Sequence, residues 1–184
     1  MDLTGKLIVA MPAMGDPRFE RAVILVCAHS DDGAMGIMVN KPLPDLSFSD
    51  LLTTLKIPRA DQGRDIRVLF GGPVERGRGF VLHSTDYSGG QATTMVAGTY
   101  GMTATLDVLE ALAKGGGPTQ AILALGYSGW GPGQLESEIA RNDWLTGEAS
   151  DGLIFGREDP RKWAKALQDM GIDPVSLSPI AGHA

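Results

Sequence analysis

The sequence is poor in the residues that usually carry chemistry. Among its 184 residues there is one cysteine, Cys27, and there are three histidines, His29, His83 and His183. One thiol cannot close an intramolecular disulfide, which fits a reducing compartment. Cys27 and His29 apart, these residues are widely spaced, and the four form neither C-x-x-C nor H-E-x-x-H, so no metal site and no resident cofactor are expected. Asp31-Asp32-Gly33, next to His29, reads as a turn between two strands and not as a ligand set. Positive charge is also short. With 16 Lys+Arg against 22 Asp+Glu the net charge is −6 and the pI about 5.0. Nucleic-acid binding draws on a cationic footprint. The nearest run, Arg157, Arg161, Lys162 and Lys165, is interleaved with Glu158 and Asp159, so direct DNA binding is disfavoured. No apolar stretch reaches the ~20 residues of a membrane span. Asp2 stands where a signal peptide would be basic, and the run Leu7–Met11 stops at Pro12. The expected location is therefore the cytoplasm. No G-K-[ST] follows any glycine, which removes a phosphate-binding P-loop.

Glycine, by contrast, is abundant. The 25 glycines are roughly twice the average usage and lie in short clusters between apolar runs, as turns and close backbone approaches do. The length suits one domain over 1–184. Strands are expected at Leu7–Met11, Ala22–Ala28, Gly36–Val39, Ile66–Phe70, Gly79–His83, Thr94–Ala97, Gln120–Leu125 and Leu153–Phe155. Pro58–Asp65 reads as a surface loop. Helices are expected after Ser47 or Ser49, along the stripe Leu106, Leu109, Leu112, Ala113 that stops at Gly115-Gly116-Gly117, after Pro132, and from Asp159-Pro160 to Gly171. Strands come first and helices are inserted irregularly, which makes the fold class α+β.

Several segments in fixed order resemble the YqgE/AlgH family of bacterial proteins. They are Gly5–Arg21, His29–Pro42, Gly71-Gly72-Pro73-Val74 with Gly79–His83, Gly126–Leu145 and the tail Ile180–Ala184. The resemblance implies a bifurcated, mostly antiparallel sheet partly curled into a small barrel, with surrounding helices. It also implies a regulatory role, since AlgH members have been described as transcriptional regulators. Ala28 departs from the family's usual carboxylate before the first histidine. The small residues between Tyr127 and Trp130 vary within the family pattern, so no fixed role for Ser128 carries over.

Three readings of function follow. The leading one is a non-enzymatic regulatory or interaction protein, acting on transcription indirectly if at all, with an unknown protein or small-molecule partner. No catalytic triad, metal set or cofactor fingerprint is complete in the sequence. The expected binding surface is Trp130, an exposed aromatic anchor, with Gln134 and Glu136, and with Asn40 and His83 as neighbours. Trp144 and Trp163 are expected to be structural. The second reading is a small hydrolase or thiol enzyme using Ser128 or Cys27 with a histidine. Gly126-Tyr127-Ser128-Gly129-Trp130 imitates a nucleophile elbow but has Trp130 where the last glycine belongs. Cys27 and His29, two apart on a strand, would share a face, although the alternation Val23, Leu25, Cys27 also fits a buried thiol. The third is a small-ligand binder at the glycine-rich Gly126–Gly133 loop, against a helix simply capped there.

Overall fold

The computed structural model describes residues 1–177; the tail segment of the family resemblance, with His183, lies outside them. Among the described residues nine strands form one sheet: β1 (Lys6–Ala10), β2 (Val23–Ser30), β3 (Gly33–Met38), β4 (Arg67–Phe70), β5 (Val74–His83), β6 (Thr93–Val96), β7 (Tyr100–Thr103), β8 (Ala121–Trp130) and β9 (Trp144–Glu148). Five helices accompany them: α1 (Phe48–Thr54), α2 (Leu106–Ala113), α3 (Gln134–Ala140), α4 (Asp151–Phe155) and α5 (Asp159–Asp169). The fold is α+β, with a largely antiparallel sheet curled into a half-barrel. The strand order is β6-β7-β5-β8-β3-β2-β1-β9, and β4 joins β8 in parallel.

The sheet forks at β8. One edge of β8 pairs with β5. Its other edge is shared: Ile122–Leu125 take β4, and Ser128–Trp130 take β3. At the changeover Gly126 has φ +74°, and Gly71-Gly72 is pressed against it. A Cβ on Gly71 would lie 2.3 Å from the Gly126 carbonyl oxygen, and one on Gly72 2.1 Å from the Tyr127 carbonyl carbon. Only bare backbone passes here, and it is bonded on both sides: the Gly71 N–H donates to Leu125 O (2.8 Å) and Met38 N–H to Gly71 O (3.0 Å).

Three apolar clusters surround the fork. Helices α4 and α5 close one face through Leu153, Ile154, Trp163 and Leu167 against Leu7, Leu25, Ile37 and Leu82. The opposite face of β1, β2 and β3, with Ile8, Ile24 and Met38, packs on Trp130, Leu135 and Trp144. Helices α1 and α2 cover Val68, Val81 and Leu123. Ser47 caps α1 through a reciprocal box with Asp50. Pro58–Asp65 is loop, as expected.

Four local readings are corrected. Leu153–Phe155 is the end of helix α4 and not a strand, because Ser150 accepts from Leu153 N–H (3.3 Å) and Asp151 sits in the first turn. Pro132 precedes α3, whose cap is Gly133 at φ +70°. The strand expected at Gln120–Leu125 continues through the fork to Trp130, so no strand–turn–helix elbow exists around Ser128. A bulge in β2 between Val26 and Ala28 shifts the register against β3. Cys27 therefore packs with Leu25 in one cluster while His29 reaches Leu3 and α3 across the sheet, and the two do not share a face.

Candidate functional site

The end of β8 turns into α3 through Gly131-Pro132-Gly133, and the side chains of three remote strands meet there. The centre is Glu138. Its Oε2 accepts Nε1–H of Trp130 (2.6 Å) and Nε1–H of Trp144 (3.2 Å), and its Oε1 accepts Nε2–H of Gln134 (3.3 Å). Gln134 in turn accepts Gly131 N–H (2.9 Å), which closes the turn. The two indoles stand edge to face with centroids 6.1 Å apart, and Phe19 meets Trp144 the same way at 5.7 Å. A cleft of about 250 Å³ opens beside this group, lined by Met14, Asp16, Arg18, Phe19, Pro73 and Val74 with Gln134, Glu138 and both indoles.

Two residues earlier on α3, Glu136 pairs with His29 Nε2. His29 Nδ1 accepts Leu3 N–H (3.0 Å), so Nε2 carries the hydrogen and donates it to the carboxylate. Glu136's own backbone N–H and the His29 bond hold its carboxyl below the usual carboxylate range.

The five residues picked from the sequence fall in three places. Trp130, Gln134 and Glu136 fall together. Trp130, expected to stand exposed, is 7% exposed and packs with Leu135 and Trp144. Asn40 lies beyond the far end of β3, where its Oδ1 accepts Val23 N–H (2.9 Å) and its Nδ2 donates to Arg21 O (2.8 Å). His83 lies at the opposite end of β8, opposite Ala121. It is fully buried. Its Nδ1–H donates to Ser84 O (2.7 Å), which leaves Nε2 to accept from Thr103 Oγ1 (2.8 Å). Thr103 then accepts from Thr93 (2.8 Å), which accepts from Gly89 N–H (2.7 Å), and each hydrogen has one acceptor. The sequence singles out no role for Glu138 and marks Trp144 only as structural. The spacing Gln134/Glu138, i and i+4 on one helix face, was the available signal for the first. Nothing short of strand register joins Trp144 and His29 to it.

The residues of the enzyme reading are otherwise engaged. Ser128 is fully buried within β8 and donates to Gly71 O (3.3 Å). Cys27 is buried, and desolvation pushes its thiol up to about 12, far from a reactive thiolate at neutral pH. Residues Gly126–Trp130 of the presumed ligand loop are strand. Among the described residues no group of three or more His, Cys, Asp and Glu side chains is placed to hold a metal ion. Nor is any helix there long and apolar enough to cross a membrane.

Comparison with known proteins agrees with this architecture. The chain is 65% identical to a UPF0301 protein of Cereibacter sphaeroides over the whole of both chains. It is 56% identical to a UPF0301 protein of Paracoccus denitrificans, covering all of this chain and 97% of that one. The solution structure of the AlgH protein from Pseudomonas aeruginosa superposes with a TM-score of 0.80 at 35% identity, covering 100% of this chain and 95% of that one. A crystal structure of a Corynebacterium diphtheriae protein shares the fold at 21% identity, with a TM-score of 0.71 over 90% of this chain and 86% of that one. The family described as AlgH-like matches residues 7–175. With these findings, the chain belongs to the AlgH-like family.

Proposed function

We propose that the protein is a non-enzymatic interaction protein of the cytoplasm that engages a partner at the end of β8, through Trp130, Gln134 and Glu136 together with Glu138 and Trp144. Any effect on transcription then runs through that partner and not through direct DNA contact. The observation that carries this reading is the Glu138 carboxylate, clasped by two indole N–H groups at the wall of an open cleft. Rigid aromatic anchors with a fixed polar group are what protein interfaces concentrate their binding energy in. A site-specific photo-crosslinker tests it. Placed at Gln134 in living bacteria, it should give a discrete covalent adduct, and one at Met95, an exposed residue on edge strand β6, should not. Equal adducts at both positions, or none at Gln134, would remove the assignment. In a gel shift at ~100 mM salt the purified chain should leave DNA unretarded at nanomolar protein.

A further inference from the structure

The cleft beside Glu138 carries a particular imbalance of charge. Its lining includes three carboxylates, Asp16, Glu138 and Asp143. Asp16 is held by Arg18, whose Nη2 lies 2.6 Å from Oδ2 and Nε 3.0 Å from Oδ1. Asp143 is met by Arg141 at 3.2 Å. Glu138 has no cation within ion-pair distance among the described residues; its partners are the two indoles and the Gln134 amide, all neutral. Three fixed donors orient the carboxylate without cancelling its charge. The indoles are also altered by the bond they make: an N–H that donates to an anion leaves its ring richer in electrons, and ring faces already attract cations. The wall shows the same recognition within the chain, for the Arg18 guanidinium lies 5.6 Å from the Phe19 ring centroid while it grips Asp16. A volume of about 250 Å³ is below the roughly 300–1,000 Å³ of small-molecule pockets, and suits one long side chain.

We infer that this cleft receives an alkyl guanidinium or ammonium group, the end of an arginine or lysine side chain, with Glu138 as its counter-ion and the Phe19, Trp130 and Trp144 rings as its flanks. This rests on the proposed role of the site as an interface, and names the chemistry its partner must present. Glu136 is already matched by His29 and Asp143 by Arg141, so Glu138 is the carboxylate left to pair across an interface.

The indole N–H resonances of the full chain report on it directly. Two belong to the clasp, and the third, Trp163, donates to Ala10 O (2.7 Å) elsewhere in the core and serves as an internal control. Arginine amide should move the Trp130 and Trp144 signals with an apparent Kd on the order of 1–10 mM, as a single-side-chain contact gives, and leave Trp163 in place. Citrulline amide, which keeps the α-ammonium but carries a neutral urea in place of the guanidinium, should move them far less. Added salt should weaken the response. Glu138→Gln keeps an oxygen for the indoles and should weaken arginine amide at least tenfold. Should that variant fold poorly, Gln134→Lys supplies an ammonium four residues from Glu138 on the exposed side of α3 and should abolish binding with the fold intact. No shift up to ~50 mM arginine amide, well above that affinity range, or an equal response to citrulline amide, would overturn the inference. A crosslinked partner at Gln134 without any cation response would sink the cationic ligand and leave the interface standing. Cation binding without a crosslink would do the reverse.

Discussion

The two ends of β8 solve the same problem in opposite ways. Each gathers a histidine and polar side chains from distant strands. At the beginning, beside Ala121, the imidazole of His83 is fully buried and every hydrogen in its chain has a neutral acceptor, ending in backbone at Ser84 and Gly89. At the far end, beside Trp130, the indoles and the imidazole are also buried, but two half-exposed carboxylates take part and a cleft opens next to them. A neutral, saturated network costs little to bury and offers a partner nothing. A carboxylate fixed by neutral donors keeps an unmet charge. The lesson is that a buried histidine in a protein short of histidines marks structure here, and that the site is found by following charge.

The comparison can be broken first at Trp130. The sequence alone cast it as a surface anchor, removable at little cost. Its burial against Leu135 and Trp144 predicts that Trp130→Ala costs about 3–5 kcal/mol, read as a lower denaturation midpoint at unchanged m-value. A loss under ~1 kcal/mol would mean that the open end is a surface feature throughout and that its indole is free to move.

The closed end should be the less forgiving of added volume. A Cβ on Gly101 would lie 2.3 Å from His83 Cε1. Gly101→Ala should therefore cost about 1–3 kcal/mol by overpacking, while leaving the Trp130 and Trp144 indole signals unchanged. Movement of those signals would show that the two ends are coupled along β8.

The smallest expected effect concerns acid. Asp86, next to the His83 end, accepts from Ser84 Oγ (2.6 Å), from Thr119 N–H (3.1 Å) and from the Thr119 hydroxyl. The Ser84 bond first, then those from Thr119, hold its carboxyl at about 2. The native value lies below the ordinary 3.8, so the unfolded chain binds the proton more readily. The stabilisation is complete above about pH 4 and fades as the pH falls towards 2. Asp86→Asn should remove this stabilisation above about pH 4, neutrality included, and so flatten the stability profile between those values. An unchanged acid limb in urea titrations would show that this carboxylate does not tie Thr119 to the loop in solution.

Legibility followed the strength of local signals. β1, β2 and β4 are continuous apolar runs, α2 and α5 carry a full helical stripe, and α1 has its capping serine. β7, YGMT, and β9, WLTGE, are too short and mixed to show alternation, and owe their pairing to β5, β6 and β1. In α4 three contiguous apolar residues imitate a strand, and only the serine cap betrays the helix. The same division holds at the site. Trp130, Gln134 and Glu136 came together because they are neighbours in sequence. Asn40 and His83 were misplaced because register decides which ends of two strands coincide. His29 changed faces through a bulge that no apolar pattern announces.

The fork also orders assembly in time. β8 meets β5 through His83↔Ala121, β4 through Arg67↔Ile122 and β3 through Ala34↔Trp130, pairings that span progressively longer stretches of chain. Closing the longest instead of the shortest from an open chain costs roughly 0.8 kcal/mol more in entropy, and non-local contacts are the slow ones. The seam with β3 is thus the last to become affordable. The Trp130–Glu138 clasp sits on that seam, so a nascent chain completes its sealed end before it has anything to offer a partner.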